Sequence, residues 1–114
     1  MPVVTVDSNE QLLAEYQAAG ETPVVFYFFA ECDAICDEFN PQFDQIVSEF
    51  ADSVIVVKAI FTGHSILDGT DFTVDTLPTV IVGVNGIESC EDKLVESQIT
   101  EDSLRELFQK YSNN

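Results

Sequence analysis

Two rhythms of apolar residues alternate along this chain. Short uninterrupted runs predict strands, and apolar positions recurring every three or four residues predict helices with one buried face. Val3 to Val6 is a brief strand-forming run. Asp7, Ser8 and Asn9 follow it, and Ser8 with Gln11 three residues on has the spacing of a capping box, so a first helix starts there, runs to about Ala19 and closes at Gly20. Val24 to Ala30 is apolar throughout, the signature of a central strand buried on both faces. From Asp33 the residues Ile35, Phe39, Phe43, Ile46, Val47 and Phe50 keep helical spacing, with Pro41 expected to kink the helix.

Val54 to Phe61 predicts a third strand, and the polar stretch from Thr62 to Thr73 predicts a loop or a short, weak helix. Val80 to Val84 and the run from Ile87 flank Asn85-Gly86, a dipeptide suited to the positive φ angles of a tight hairpin. A last helix begins near Thr100, with Leu104, Leu107, Phe108 and Tyr111 as its apolar face. The resulting order is βαβαβ followed by ββα, an α/β arrangement with a central mixed sheet flanked by helices. Residues 1–114 are expected to form one domain.

Composition narrows the partners. The chain holds 21 Asp and Glu against 4 Lys and Arg, a formal charge of -17. Phosphate backbones and anionic membrane surfaces are recognised by cations that this chain lacks, so no nucleic acid and no membrane partner is expected. A basic protein partner suits the charge. Apolar runs fall well short of the roughly 20 residues that span a bilayer, and the N-terminus lacks a basic stretch leading into an apolar one, so a cytoplasmic location is expected. Three cysteines are too few for a disulfide scaffold.

Cys32 and Cys36 bracket the passage from the buried strand into the second helix. Free backbone N–H groups and a partial positive charge at a helix start stabilise a thiolate, which is how a thiol becomes a nucleophile. The competing reading treats both as small core residues, the common fate of free cysteine. Around them Glu31, Asp33, Asp37 and Glu38 add negative charge that opposes thiolate formation. Cys90 is expected to be a packing or surface thiol; if exposed it could join two otherwise monomeric chains.

The chain resembles the thioredoxin family over nearly its whole length. The likeness rests on the element order, Phe29-Ala30-Glu31 before the cysteines, Pro41 after Cys36, Lys58 on the third strand, the segment Val74-Asp75-Thr76-Leu77-Pro78-Thr79, and Asn85-Gly86 in the hairpin. It implies a thioredoxin-like fold, with Pro78 cis and facing the cysteines and the adjoining backbone holding substrate. The family motif is Trp-Cys-Gly-Pro-Cys, whereas the sequence here is Cys32-Asp33-Ala34-Ile35-Cys36. Anchored on Pro41, Cys36 matches the second motif cysteine, Asp33 the first and Cys32 the Trp; in the other register Cys32 remains the nucleophile and the turn has gained a residue. The buried Asp that assists proton transfer in the family aligns with Tyr27.

The resemblance implies thiol-disulfide exchange on protein disulfides, and the departures from the family, with acids crowding the turn, make it slow. Cys32 attacks, Cys36 resolves, and Leu77, Pro78 and Ile35 help hold the substrate chain, with a thioredoxin reductase or glutathione as electron donor and no cofactor. The alternative is a redox-inactive binding module that docks a partner in the groove around Cys36, Ile35 and Pro78. A CxxxC turn in such a fold is also similar to that of the copper-binding Sco proteins, for which His64 is the one histidine present.

Overall fold

The computed structural model describes residues 3–20, 22–31, 33–50, 54–83 and 90–112, with backbone alone at 90 and 91. Strands β1 (Val3–Val6), β2 (Val24–Phe29), β3 (Ile55–Ile60), β4 (Thr79–Gly83) and β5 (Cys90–Val95) form one sheet in the order β1-β3-β2-β4-β5. β1 and β2 both pair parallel with β3, while β4 pairs antiparallel with β2 and β5. The mixed sheet expected from the element order is therefore present. β2 runs through its middle, paired on both edges, so its backbone polar groups are satisfied and its side chains are free to be wholly apolar.

All six residues of β2 are buried, and they alternate between two cores. Val25, Tyr27 and Phe29 pack under α2 (Ala34–Glu49) and α3 (Glu101–Ser112). Val24, Phe26 and Phe28 pack on the opposite side, under α1 (Asn9–Ala19) and the segment holding Ile66, Leu67, Phe72 and Val74. A period of two along a strand enforces this division. Gly83 lies where a side chain would collide with the Tyr16 hydroxyl of α1, so glycine lets the helix close onto the end of β4.

The element ends differ from expectation by a residue or so, as hydrogen bonding at frayed ends allows. β2 stops at Phe29, β3 spans Ile55–Ile60, and α3 starts at Glu101 with Leu104, Leu107, Phe108 and Tyr111 buried. The polar stretch contains one 3-10 turn, His64–Leu67. Ser8 caps α1 by accepting from the Gln11 N–H at 3.2 Å, and Gln11 Oε1 accepts from the Asp7 N–H at 2.9 Å. α2 runs through Pro41 without ending. β4 and β5 pair antiparallel, with an irregularity where Val82 faces Asp92 and Gly83 faces Cys90. The Asn85-Gly86 turn lies outside the described residues. Among those described, no helix is long and apolar enough to cross a membrane.

Candidate functional site

The site is built where β2 hands over to α2. Asp33 has extended backbone (φ -98°, ψ 127°) and is the N-cap of α2. Its Oδ1 accepts from the N–H groups of Ile35 at 3.0 Å and Cys36 at 3.1 Å. Asp is among the preferred capping residues because its short carboxylate reaches these otherwise unpaired donors and its charge complements the helix dipole. The same carboxylate thereby occupies two amides that could otherwise stabilise a thiolate.

Cys36 lies in the first turn and is fully buried. The Ala30 N–H donates to its Sγ at 3.4 Å, so the sulfur faces back toward the turn from which the helix emerges. Burial pushes the thiol above its ordinary range. The Ala30 N–H opposes this, and the neighbouring Asp33 and Asp37 carboxylates add to it. Cys32 lies outside the described residues, so its geometry relative to Cys36 does too. The side chain of Cys90, first residue of β5, is likewise outside them.

Beneath Cys36, Tyr27 donates its hydroxyl proton to Asn40 Oδ1 at 2.7 Å and stacks on Phe43 with centroids 4.1 Å apart. Burial, then the Cys36 and Asp44 charges, hold the phenol far above its usual range. Tyr27 is therefore a neutral donor and cannot exchange protons near neutral pH as a carboxylate would. Lys58 on β3 pairs with Asp44 at 2.9 Å and lies over the Phe29 ring.

Beside this turn is an open groove of about 330 Å³. Ile35, Phe39, Pro78 and Ile99 give it an apolar lining, with Glu38, Gln42, Glu96 and Ser97 completing it. Ile35 is 64% exposed, the one large apolar side chain so placed among the described residues. The Leu77–Pro78 peptide is cis, and Pro78 is buried in the groove wall. Leu77 is half-buried, packs against both cores and is not among the residues lining the groove.

Of the residues singled out in the sequence, Cys36, Ile35 and Pro78 thus gather around one turn. Glu96, Ser97 and Ile99 were not anticipated. On α2, the helical stripe of positions 35, 38, 39 and 42 carried the signal for the other groove residues. His64 is exposed, and its Nε2 lies 3.1 Å from the Val74 carbonyl, to which it donates in the matching tautomer. Among the described residues no three His, Cys, Asp or Glu side chains converge on a possible metal site.

The chain matches the thioredoxin family over residues 3–110. Among curated proteins it is similar to bloodstream-specific protein 2 of Trypanosoma brucei brucei, with 28% identity over 88 residues; the match takes in 74% of this chain but 18% of that protein's length. The fold is similar to that of Malassezia sympodialis thioredoxin, with a TM-score of 0.78 and 22% identity over 98% of this chain and 95% of that one. Spinach chloroplast thioredoxin f, in its long form, gives 0.77 and 21% over 96% and 85%. Oxidised thioredoxin O1 of Arabidopsis thaliana gives 0.75 and 22% over 96% and 97%.

Proposed function

The chain belongs to the thioredoxin family, and from that premise we propose that it is a slow thiol-disulfide oxidoreductase acting on polypeptide disulfides. The observation that supports this reading is the setting of Cys36: in the first turn of α2, buried, its sulfur accepting from the N–H of Ala30, two residues before Cys32 in the sequence. The Cys32 thiolate attacks a substrate disulfide, forming a mixed disulfide and releasing one substrate thiolate. Cys36 then loses its proton and attacks the Cys32 sulfur, releasing the second substrate thiolate and closing a Cys32–Cys36 disulfide. The substrate gains two electrons and two protons, and a reductase or small thiol such as glutathione returns the protein to the dithiol. Pro78 and Ile35 hold the substrate chain, and Leu77 fixes the Pro78 segment by packing inward.

The slowness has two sources. Asp33 already holds the amides at the helix start, and Tyr27 stands where a proton-accepting carboxylate would assist Cys36. Thiol counting by mass spectrometry after equilibration with oxidised glutathione and alkylation tests the reading. Cys32 and Cys36 should become protected together, with the mass two hydrogens lower, and Cys36→Ser should trap a mixed disulfide. Full alkylation of all three cysteines at every glutathione ratio would refute it. A second reading, a docking module without redox chemistry, is favoured by the same occupation of the helix-start amides by Asp33, and full alkylation is its expected result.

A further inference from the structure

The groove beside Cys36 has a lining that names its occupant. Its apolar part, Ile35, Phe39, Pro78 and Ile99, matches an apolar side chain, and Glu38 and Glu96 join it from two separate elements, one from α2 and one from the turn after β5. We infer that this groove binds an extended polypeptide segment that presents an apolar residue between Lys or Arg residues. The inference rests on the proposed function only in taking this groove as the docking side of the exchange site.

The charge imbalance at the groove is local as well as global. None of the chain's four Lys and Arg residues is among those lining it, and each is engaged elsewhere. Lys58 pairs with Asp44, Arg105 with Glu49 and Glu101, and Lys110 with Asp92, while Lys93 donates to Thr73. Among the described residues the groove acids consequently have no Lys or Arg partner, and Asp33 at the N-cap and Asp37 in the first turn of α2 extend the same sign of field. A partner that supplies the missing cations gains attraction at this edge, whereas an acidic partner meets repulsion.

Glu96 is also held firmly. It is the one non-glycine residue with positive φ among those described, at 48°. Its N–H donates to the Pro78 carbonyl at 3.1 Å, and its own carbonyl accepts from the Ile99 N–H at 2.9 Å. Val95 N–H donates to Gln98 Oε1 at 3.0 Å across the same turn. These bonds fix the backbone of Glu96 beside Pro78, so its carboxylate serves the groove from a rigid support.

The test uses the full chain and short cysteine-free peptides with one central Phe, flanked on both sides by Lys, by Gln or by Glu, followed by fluorescence anisotropy. Binding should fall from Lys to Gln to Glu, with about a tenfold span at low salt that narrows as ionic strength rises. Glu38→Gln with Glu96→Gln should remove most of that span. Glu10→Gln with Glu15→Gln, two charges on α1 across the sheet, should leave it intact. Ile35→Ser should weaken all three peptides. Equal affinity for the three, a span insensitive to the groove pair, or no binding at all would overturn the inference. Because the peptides lack cysteine, the outcomes separate: a Lys preference without Cys32–Cys36 cycling defeats only the exchange reading, and cycling without that preference defeats only this one.

Discussion

Helices α1 and α2 begin with the same local device and turn it to different ends. At α1 a neutral hydroxyl, Ser8 Oγ, accepts from one N–H, and Gln11 returns a bond to the residue before the cap. The third helical residue there is Gln11 itself, so the cap acts on the fold alone. At α2 a carboxylate, Asp33 Oδ1, accepts from two N–H groups, and the third helical residue is the buried thiol Cys36. Both caps satisfy orphan donors. The difference is that a charged cap beside a thiol also opposes its ionisation, so at α2 helix stability and thiolate reactivity draw on the same amides.

The sharpest way to break this comparison is to remove the charge at α2 and keep the cap. Asparagine caps helices about as well as aspartate, so Asp33→Asn should leave the melting temperature nearly unchanged. It should also lower the Cys36 thiol toward its ordinary range, because Asp33 acts both as an adjacent negative charge and as a hydrogen-bonding neighbour that favours the protonated form. Alkylation of Cys36 in the Cys32→Ser, Cys90→Ser background, followed at neutral pH with iodoacetamide, should accelerate several-fold. An unchanged rate would show that burial alone governs this thiol and that the capping carboxylate is irrelevant to it.

The matching change at α1 acts on stability instead. Ser8→Ala removes the cap acceptor for Gln11 and should cost about 1 kcal/mol. For a chain of this size that is a fall of roughly 4 °C in the melting temperature. Cys36 alkylation should not change, since α1 packs on the other side of the sheet. Calorimetry and the same alkylation assay together check it; a change in thiol reactivity would mean that the two helix starts are coupled through β2.

How far this contrast was legible in the sequence depends on what each residue answers to. The six apolar residues of β2 could satisfy only a strand with two buried faces, and Ser8 with Gln11 spelled its own cap. Local chemistry sufficed in both cases. Ile35 was different: it shares four-residue steps with Phe39 and Phe43, which suggested a common buried face. Each such step overshoots a helical turn by about 40°, so Ile35 stands about 80° from Phe43, at a helix start where it is exposed. The groove's far wall escaped for another reason. Glu96 and Ile99 reach it through the β4–β5 pairing and a left-handed residue that no spacing announces, since Glu rarely adopts that conformation. Pro78 was placed by family resemblance, not by pattern.

A smaller effect separates the two acids near Cys36. Asp33 bonds the Cys36 N–H and also acts through its charge, whereas Asp37 contributes through charge alone and less strongly. Asp37→Asn should therefore speed Cys36 alkylation less than Asp33→Asn does, in the same background and assay. If Asp37→Asn matched or exceeded Asp33→Asn, the field of the exposed acids, not the cap, would be the controlling influence, and the contrast with Ser8 would lose its basis.

The smallest expected effect is on stability at alkaline pH. An unfolded thiol titrates near about 8.5, and in the folded chain burial, with the Asp33 and Asp37 charges, raises Cys36 above its ordinary range. Below the unfolded value both states keep the proton and folded stability is complete. As pH rises past it, the unfolded chain gives up its proton first, so the folded state binds more protons and stability declines until the folded thiol also ionises. Tyr27 acts with the same sign at higher pH, its phenol held up chiefly by burial. The decline is confined to the interval between the unfolded and the folded thiol values, outside which the two states bind the same number of thiol protons. Melting curves of the wild type and Cys36→Ser from neutral pH to about pH 10 isolate the thiol, because serine does not ionise in that range. The wild type should lose more stability than Cys36→Ser as pH rises, and Asp33→Asn should fall between them. Parallel curves for all three would mean that Cys36 titrates alike in the folded and unfolded chain and that the cap at α2 serves the helix only, as Ser8 does at α1.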